Sequence, residues 1–517
     1  MNKEFKEGTP VQPVLRLKPE QIESLHEASL SLLNKPGITC YSPAAAELLD
    51  EAGCDVSSSR EGDGARQVRF PRKVVDDALR QAPEEVILGA RNPQNSLLLN
   101  AHNPTVYFGT GAETNIFLET ELEEFIKKDD PSLTTRHPLH KTKQGSLKFL
   151  CQSAKLCNQL LHLDFFIRNV NIQDEDINTQ NKDVNVFLAS LMFMTKHVQS
   201  GITQLERLND VIKLAEIVAG GEAKLRENPV ISFITCLVKS PLQMVGETAE
   251  KLMAIAKTGM PVVISSSPQG GSTAPIEEEG IVALINAEIL AGITLAQMVN
   301  PGTPVLYGSV PVRARLDTLH DLYGAPEFIH YNVDCVQMAR HYGIPCYSSA
   351  GVGDARVPGL QATIEKVFSQ LCVAASGAQY IHYAFGLLDR TNVFSPVQAV
   401  LDDAHIGMVK QILRKPVFEQ KDTEAAVSEI KKVTGSRTKL FARHIRKAKR
   451  KGLVSPPYLF ESPEAEDNAV QNAFFQLQKI LESQDEGLPD SLIEDIYEKI
   501  PGLLPRDRFE PLAGPSQ

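Results

Sequence analysis

Tryptophan is absent, and aromatic residues are only 6% of the 517 positions. Any site built on ring faces must therefore draw on tyrosine, phenylalanine and histidine. No Cys-x-x-Cys pair occurs among the eight cysteines, Cys40, Cys54, Cys151, Cys157, Cys236, Cys335, Cys346 and Cys372. Their scatter excludes a disulfide framework and suits reduced, mostly buried thiols. Positive charge is the scarcer sign, with 53 Lys and Arg against 64 Asp and Glu and a net charge of −11. That balance argues against nucleic acid as a partner, because phosphates need a basic face. It is compatible with a cationic substrate.

No uninterrupted membrane-length run is present. The most apolar stretch, 281–299, carries Asn286 and Glu288 near its middle, which fits a buried helix better than a membrane span. The opening MNKEFKEGTP lacks the apolar core of a signal peptide, so a cytoplasmic protein is expected. Phosphate loops, zincin motifs and nucleophile elbows are missing too. Gly351-x-Gly353 follows an apolar run but lacks the third glycine of a dinucleotide fingerprint. His330, Cys335 and Cys346 are irregularly spaced for a zinc site, and no bound metal is expected.

What the chain has is a recurring unit, in which a short apolar run ends in Gly, Ser or Thr and feeds a helical stretch. PVVISSSPQGGSTAP (261–275) leads into a long alanine-rich helix, and PVLYGSVP (304–311), PCYSSAGVGD (345–354) and QYIHYAFGLLD (379–389) repeat the arrangement. TVYFGTG (105–111), LDFFIRNV (163–170), VQSGIT (198–203) and PVISFIT (229–235) bring the runs to eight, mostly 30–43 residues apart. That spacing matches βαβ units. The expected fold class is α/β, a (β/α)8 barrel with an N-terminal α+β extension and a C-terminal helical tail. The expected divisions are 1–100 for the extension, 101–417 for the barrel and 418–517 for the tail.

Several local expectations follow. Ser42 with Pro43 should start a helix, and Ser272 or Thr273 should cap the helix after Pro275. The interval 120–150 is polar and proline-broken, and reads as a surface excursion. The segment 431–452 holds ten lysines and arginines. It reads as a solvated helix face, with a docking surface for an acidic protein as the alternative.

Strand ends supply the candidate site. Tyr107, Phe108, Tyr307, Tyr347, His382, Tyr383 and Phe385 fall on or just after predicted strands, where rings can surround a cation. Alternation along a strand makes Tyr107, His382 and Phe385 candidates for the inner face. Arg313 is positioned to bind a carboxylate, and Asp354 to act as an acid or a dipole partner.

The block PVVISSSPQGGSTAPIEEEGIVALINAEILAGITLAQMVNPGTPVLYGS resembles the trimethylamine methyltransferase family. So do GAPE (324–327), ARHYGIPCYSSAGVGDARVPGLQATIEK (339–366) and LDDAHIG (401–407). The resemblance covers roughly 20–415. It implies an enzyme that moves a methyl group from a methylated amine to the Co(I) of a separate corrinoid protein, which carries the cobalamin-type cofactor. Only standard residues occupy the GVGDARVP region, so the chain is similar to the non-pyrrolysine branch, which uses quaternary amines such as glycine betaine. A quaternary nitrogen leaves as a neutral amine without protonation, so no catalytic triad is expected. On this resemblance Tyr107 and Phe385 would cradle the cation, His382 would orient the substrate and Arg313 would pair with its carboxylate. The rivals are a zinc-dependent barrel methyltransferase acting on a thiol or alcohol, and a non-catalytic betaine-binding protein. Barrel enzymes of this size often assemble, so a homo-oligomer is within expectation.

Overall fold

The computed structural model describes residues 5–59, 64–127, 130–437, 468–483 and 487–511, with 440–441, 445–446 and 448. All eight apolar runs are strands of one curled nine-stranded sheet. Its order runs Thr9–Pro10, Thr105–Phe108, Tyr380–His382, Cys346–Ser349, Val305–Ser309, Val262–Ser266, Ile231–Cys236, His197–Ser200, Phe165–Ile167. Thr9–Pro10 lies antiparallel on Thr105–Phe108, and the remaining neighbours pair in parallel. A helix follows every parallel strand, from Leu147–Gln159 to Pro396–Leu413. The two ends of the sheet approach each other. Gly109 makes a parallel bridge to Phe165, and Thr110 Oγ1 donates to Ile167 O at 2.6 Å while accepting from Ile167 N at 2.8 Å.

Period-two alternation sorts the strands into two faces. Tyr107, Phe165, Ile167, Val263, Leu306, Tyr347 and Tyr380 pack together on the concave side. Their neighbours Val106, Phe108, Phe166, Val262, Ile264, Val305, Tyr307, Cys346 and Ile381 belong to the larger core beneath the helices. Burial on both faces is why these strands read as short unbroken apolar runs.

Among the described residues one helix, Glu278–Val299, is long and apolar enough to cross a membrane, and 94% of its apolar window is buried inside the fold. The two polar groups near its middle are satisfied there. Asn286 donates to Ser29 Oγ and the Tyr342 hydroxyl and accepts from the Tyr307 hydroxyl. Glu288 accepts from Ser240 Oγ and Leu242 N at 2.7 and 3.0 Å, and from Ser266 Oγ. The helix begins at Glu278, later than the expected cap. Ser272, Thr273 and Ala274 instead fold back, each donating its N–H to Gln269 O. Ser42 caps as expected, accepting from Ala45 N ahead of Pro43–Glu51.

In the N-terminal part, Pro19–Asn34 packs against Glu278–Val299, and Arg16 reaches Asp334 at 2.8 Å. Near the C-terminus, Ala469–Glu482 packs on Pro396–Leu413, and Asp490–Lys499 on Leu208–Ala219. Ten of the 22 positions in the basic segment 431–452 lie outside the described residues.

In the 120–150 interval, Ile116–Lys127 and Asp130–Gln144 form a long antiparallel ribbon. Opposite charges face each other across it, with Lys141–Glu121 at 2.6 Å and Arg136–Glu124 at 2.9 Å. Such cross-strand pairs support a ribbon with little apolar content. Pro138 is tolerated because it sits on the outer strand.

Candidate functional site

A cavity of about 230 Å³ lies where the parallel strands end, lined by Ala112, Glu113, Ile167, Arg168, Ser200, Gly201, Ile234, Tyr347 and Tyr383. It is smaller than the roughly 300 Å³ at which pockets for drug-sized ligands begin. A small amine fits such a space and a corrin ring does not. A larger groove of about 840 Å³ lies elsewhere, among His26, Arg80, Glu84 and His341. It shares no residue with the strand ends.

Rings form one wall of the cavity. Tyr347 stacks on His382 with centroids 4.1 Å apart, and His382 touches Tyr383 at 3.7 Å. Below them Tyr380 lies 5.7 Å from Tyr347 and stacks on Phe165 at 3.6 Å. Burial raises the phenol pKa values of Tyr347 and Tyr383, so both stay neutral. These walls can attract a cation through ring faces, not through charge. Burial also holds His382 well below the ordinary histidine range. Its Nε2 lies 2.6 Å from Ser349 Oγ, and its Nδ1 has no hydrogen-bond partner among the described residues.

Two lining residues hold backbone that side chains rarely adopt, Ala112 at φ 61° and Tyr383 at φ 69°. Non-glycine residues in that region are strained and concentrate at functional sites. Gly111 makes the arrangement possible. A Cβ there would sit 2.7 Å from the Tyr383 ring and 2.9 Å from His382 Nδ1.

The facing wall is charged. Glu113 pairs with Arg168 Nη2, and Lys182 Nζ lies 2.8 Å from its other oxygen. Arg168 Nη1 and Ser200 Oγ are buried without hydrogen-bond partners among the described residues.

Of the residues expected from the sequence, Tyr347 and Tyr383 line the cavity, and His382 stacks on Tyr347 and lies tilted against Tyr383. The others stand elsewhere. Tyr107 is on the concave face, but its hydroxyl donates to Lys6 O at 3.1 Å, where the N-terminal segment covers it. Phe108 faces the helices, with Lys410 5.7 Å from its ring. Tyr307 also faces outward, its hydroxyl 3.0 Å from Asn286 Oδ1. Phe385 is fully buried in the main core. Arg313 is turned toward Glu327, 3.5 Å away. Asp354 accepts the N–H groups of Tyr323 and Gly324 at 3.1 and 2.7 Å, which is loop anchoring. Of the residues weighed as zinc ligands, His330 bonds to Glu278, while Cys335 and Cys346 are core residues.

Glu113, Arg168, Ser200 and Gly201 were not anticipated. A signal existed for one of them, since Arg168 is the single charged residue inside the apolar run FFIRNV.

The family model for Trimethylamine methyltransferase (MTTB) matches residues 6–447. The chain belongs to the trimethylamine methyltransferase family. Among curated relatives, the glycine betaine methyltransferase of Desulfitobacterium hafniense strain Y51 is 28% identical over 443 residues, covering 85% of each chain. The trimethylamine methyltransferase MttB of Desulfitobacterium hafniense strain DSM 10664 / DCB-2 is 28% identical over 395 residues, covering 76% of this chain and 73% of its own. The MttB of Methanosarcina barkeri strain Fusaro is 29% identical over 421 residues, covering 80% and 79%. This member of the family is therefore a methyltransferase, and the strand-end cavity is its candidate active site.

Proposed function

We propose that this methyltransferase binds a quaternary methylammonium compound, with glycine betaine as the first candidate, and presents one methyl to the Co(I) of a separate corrinoid protein. The observation that carries the reading is the pair of neutral rings, Tyr347 and Tyr383, on the wall of a small cavity at the strand ends. Ring faces attract a quaternary ammonium without neutralising it, at about 0.5–2 kcal/mol per contact. In the transfer, the carbon–nitrogen electron pair leaves with nitrogen as a neutral tertiary amine, while the methyl carbon bonds to the reduced cobalt, which supplies the new pair. The chain's own part is to hold the cation, aim one methyl outward and keep water from the cavity. Positioning of this kind lowers barriers by up to about 7–11 kcal/mol. Tyr347 and Tyr383 take the cradling role first expected of Tyr107 and Phe385, and His382 fixes the two rings.

The same reading takes the curled sheet as a closed (β/α)8 barrel spanning 101–417, flanked by 1–100 and 418–517. The Gly109–Phe165 bridge and the Thr110 bonds to Ile167 support closure. Eight free cysteines fit a reducing, cytoplasmic setting.

The test is to mix the protein, glycine betaine and reduced cobalamin, free or on a corrinoid protein, and to follow the visible spectrum. Methylation is expected with glycine betaine. An unchanged spectrum with every betaine tried would refute the assignment.

A further inference from the structure

We propose that Arg168, with Ser200, reads the carboxylate of a zwitterionic substrate, so that the cavity selects betaines over quaternary amines lacking an anionic end. This rests on the quaternary-ammonium reading above and assigns the specificity of the same site. Arg168 is only 9% exposed and lines the cavity. Its Nη2 is committed to Glu113, while Nη1 is buried with no hydrogen-bond partner among the described residues, as is the neighbouring Ser200 Oγ. Unpaired buried donors are costly and rare, and two on one wall mark a place that an acceptor completes.

Charge points the same way. Glu113 contacts two cations, Arg168 and Lys182, and one negative charge against two positive leaves this wall at +1. A free cation is repelled from it, whereas a carboxylate neutralises it. The opposite wall offers Tyr347 and Tyr383 ring faces and no cation. A molecule with a quaternary nitrogen at one end and a carboxylate at the other meets a complementary group at each. Arg313, the residue expected from sequence to take the carboxylate, is turned to Glu327 instead.

The experiment is calorimetric binding to the full chain without any corrinoid protein, using glycine betaine, choline and tetramethylammonium. The wild type should bind glycine betaine tightest. Arg168→Gln should weaken glycine betaine by about tenfold or more, the scale of a charged hydrogen bond, and change the two carboxylate-free cations by less than about twofold. Equal losses for all three ligands, or none, would overturn the assignment of Arg168. Should Arg168→Gln not fold, Glu113→Gln decides. Removing the competing carboxylate should tighten glycine betaine relative to tetramethylammonium, and the reverse order would overturn the proposal. A wild type that binds none of the three would instead sink the quaternary-ammonium reading, and this proposal with it. A wild type that binds all three equally would sink only the proposal.

Discussion

Lys366 and Asp402 form an ion pair with no exposed side-chain surface, Nζ to Oδ2 at 3.2 Å. Lys366 also donates to Gly351 O and, at 3.0 Å, to Leu387 O. Asp402 accepts Gly386 N at 2.7 Å and Gln398 Nε2 at 2.9 Å. The pair thus pins the loops after the last two parallel strands, and one of those loops carries Tyr383. Asp402→Asn leaves the ammonium buried beside two carbonyls with no counter-charge, so it should cost about 3–5 kcal/mol. Lys366→Met should cost less, because Asp402 keeps two donors. In the double variant no buried charge remains, and its cost should fall below the sum of the singles by at least about 1 kcal/mol. Urea denaturation followed by far-UV circular dichroism gives the midpoints and slopes. Glycine betaine affinity should drop in the singles as the Tyr383 loop loosens. Additive costs, agreeing within about 0.5 kcal/mol, would show that the two groups do not act as a pair and would refute the reasoning.

Tyr383→Leu should weaken binding of any quaternary ammonium by about 0.5–2 kcal/mol without lowering the melting temperature, which calorimetry checks for both quantities. Gly111→Ala should close the cavity by displacing Tyr383 and His382, abolishing ligand binding while far-UV circular dichroism stays unchanged; a variant that still binds would remove Gly111 from the argument. Acid titration should show two windows. Burial lowers the His197 pKa to about 4, with the neutral ring bonded at 2.7 Å to both Gly89 O and Ser232 Oγ. The unfolded chain takes that proton below about pH 6.5, so up to about 3 kcal/mol of stability is lost as pH falls from there to about 4. Burial would raise the Asp164 pKa, but Lys410 and Lys6 outweigh it and hold it at about 2. Its depressed pKa means stability present above about pH 4 and lost as pH falls toward 2, about 2–3 kcal/mol in all. Asp164→Asn should erase the second window and leave the first, as read by urea midpoints across pH.

The eight strands were legible because each is buried on both faces, and burial of that kind writes a short apolar run closed by small polar residues. The Ser42 cap was legible for a similarly local reason. The ribbon over Ile116–Gln144 was not, since its support comes from paired charges, some of them 20 positions or more apart, as between Glu121 and Lys141. The cavity was half legible. Alternation placed Tyr107 on the concave face, and it is there beside Tyr347. Which of them reaches open space is decided by a distant segment, for Lys6 covers Tyr107 from 101 positions earlier. Tyr383 and Phe385 show the remaining difficulty. Continuing the alternation past Tyr380–His382 sends both Tyr383 and Phe385 outward, because they share a parity, and Phe385 does pack in the core. The left-handed backbone at Tyr383 breaks the period one residue beyond the strand and turns Tyr383 to the cavity. Nothing in the residue types announces that turn, because a tyrosine is an unfavourable occupant of such a conformation. The strain is tolerated because surrounding rings fix the side chain, with His382 at 3.7 Å and Tyr323 at 6.4 Å. The departure from the strand rule and the ring that lines the candidate cavity are thus one feature, and a site of this kind is found by reading where the rule fails.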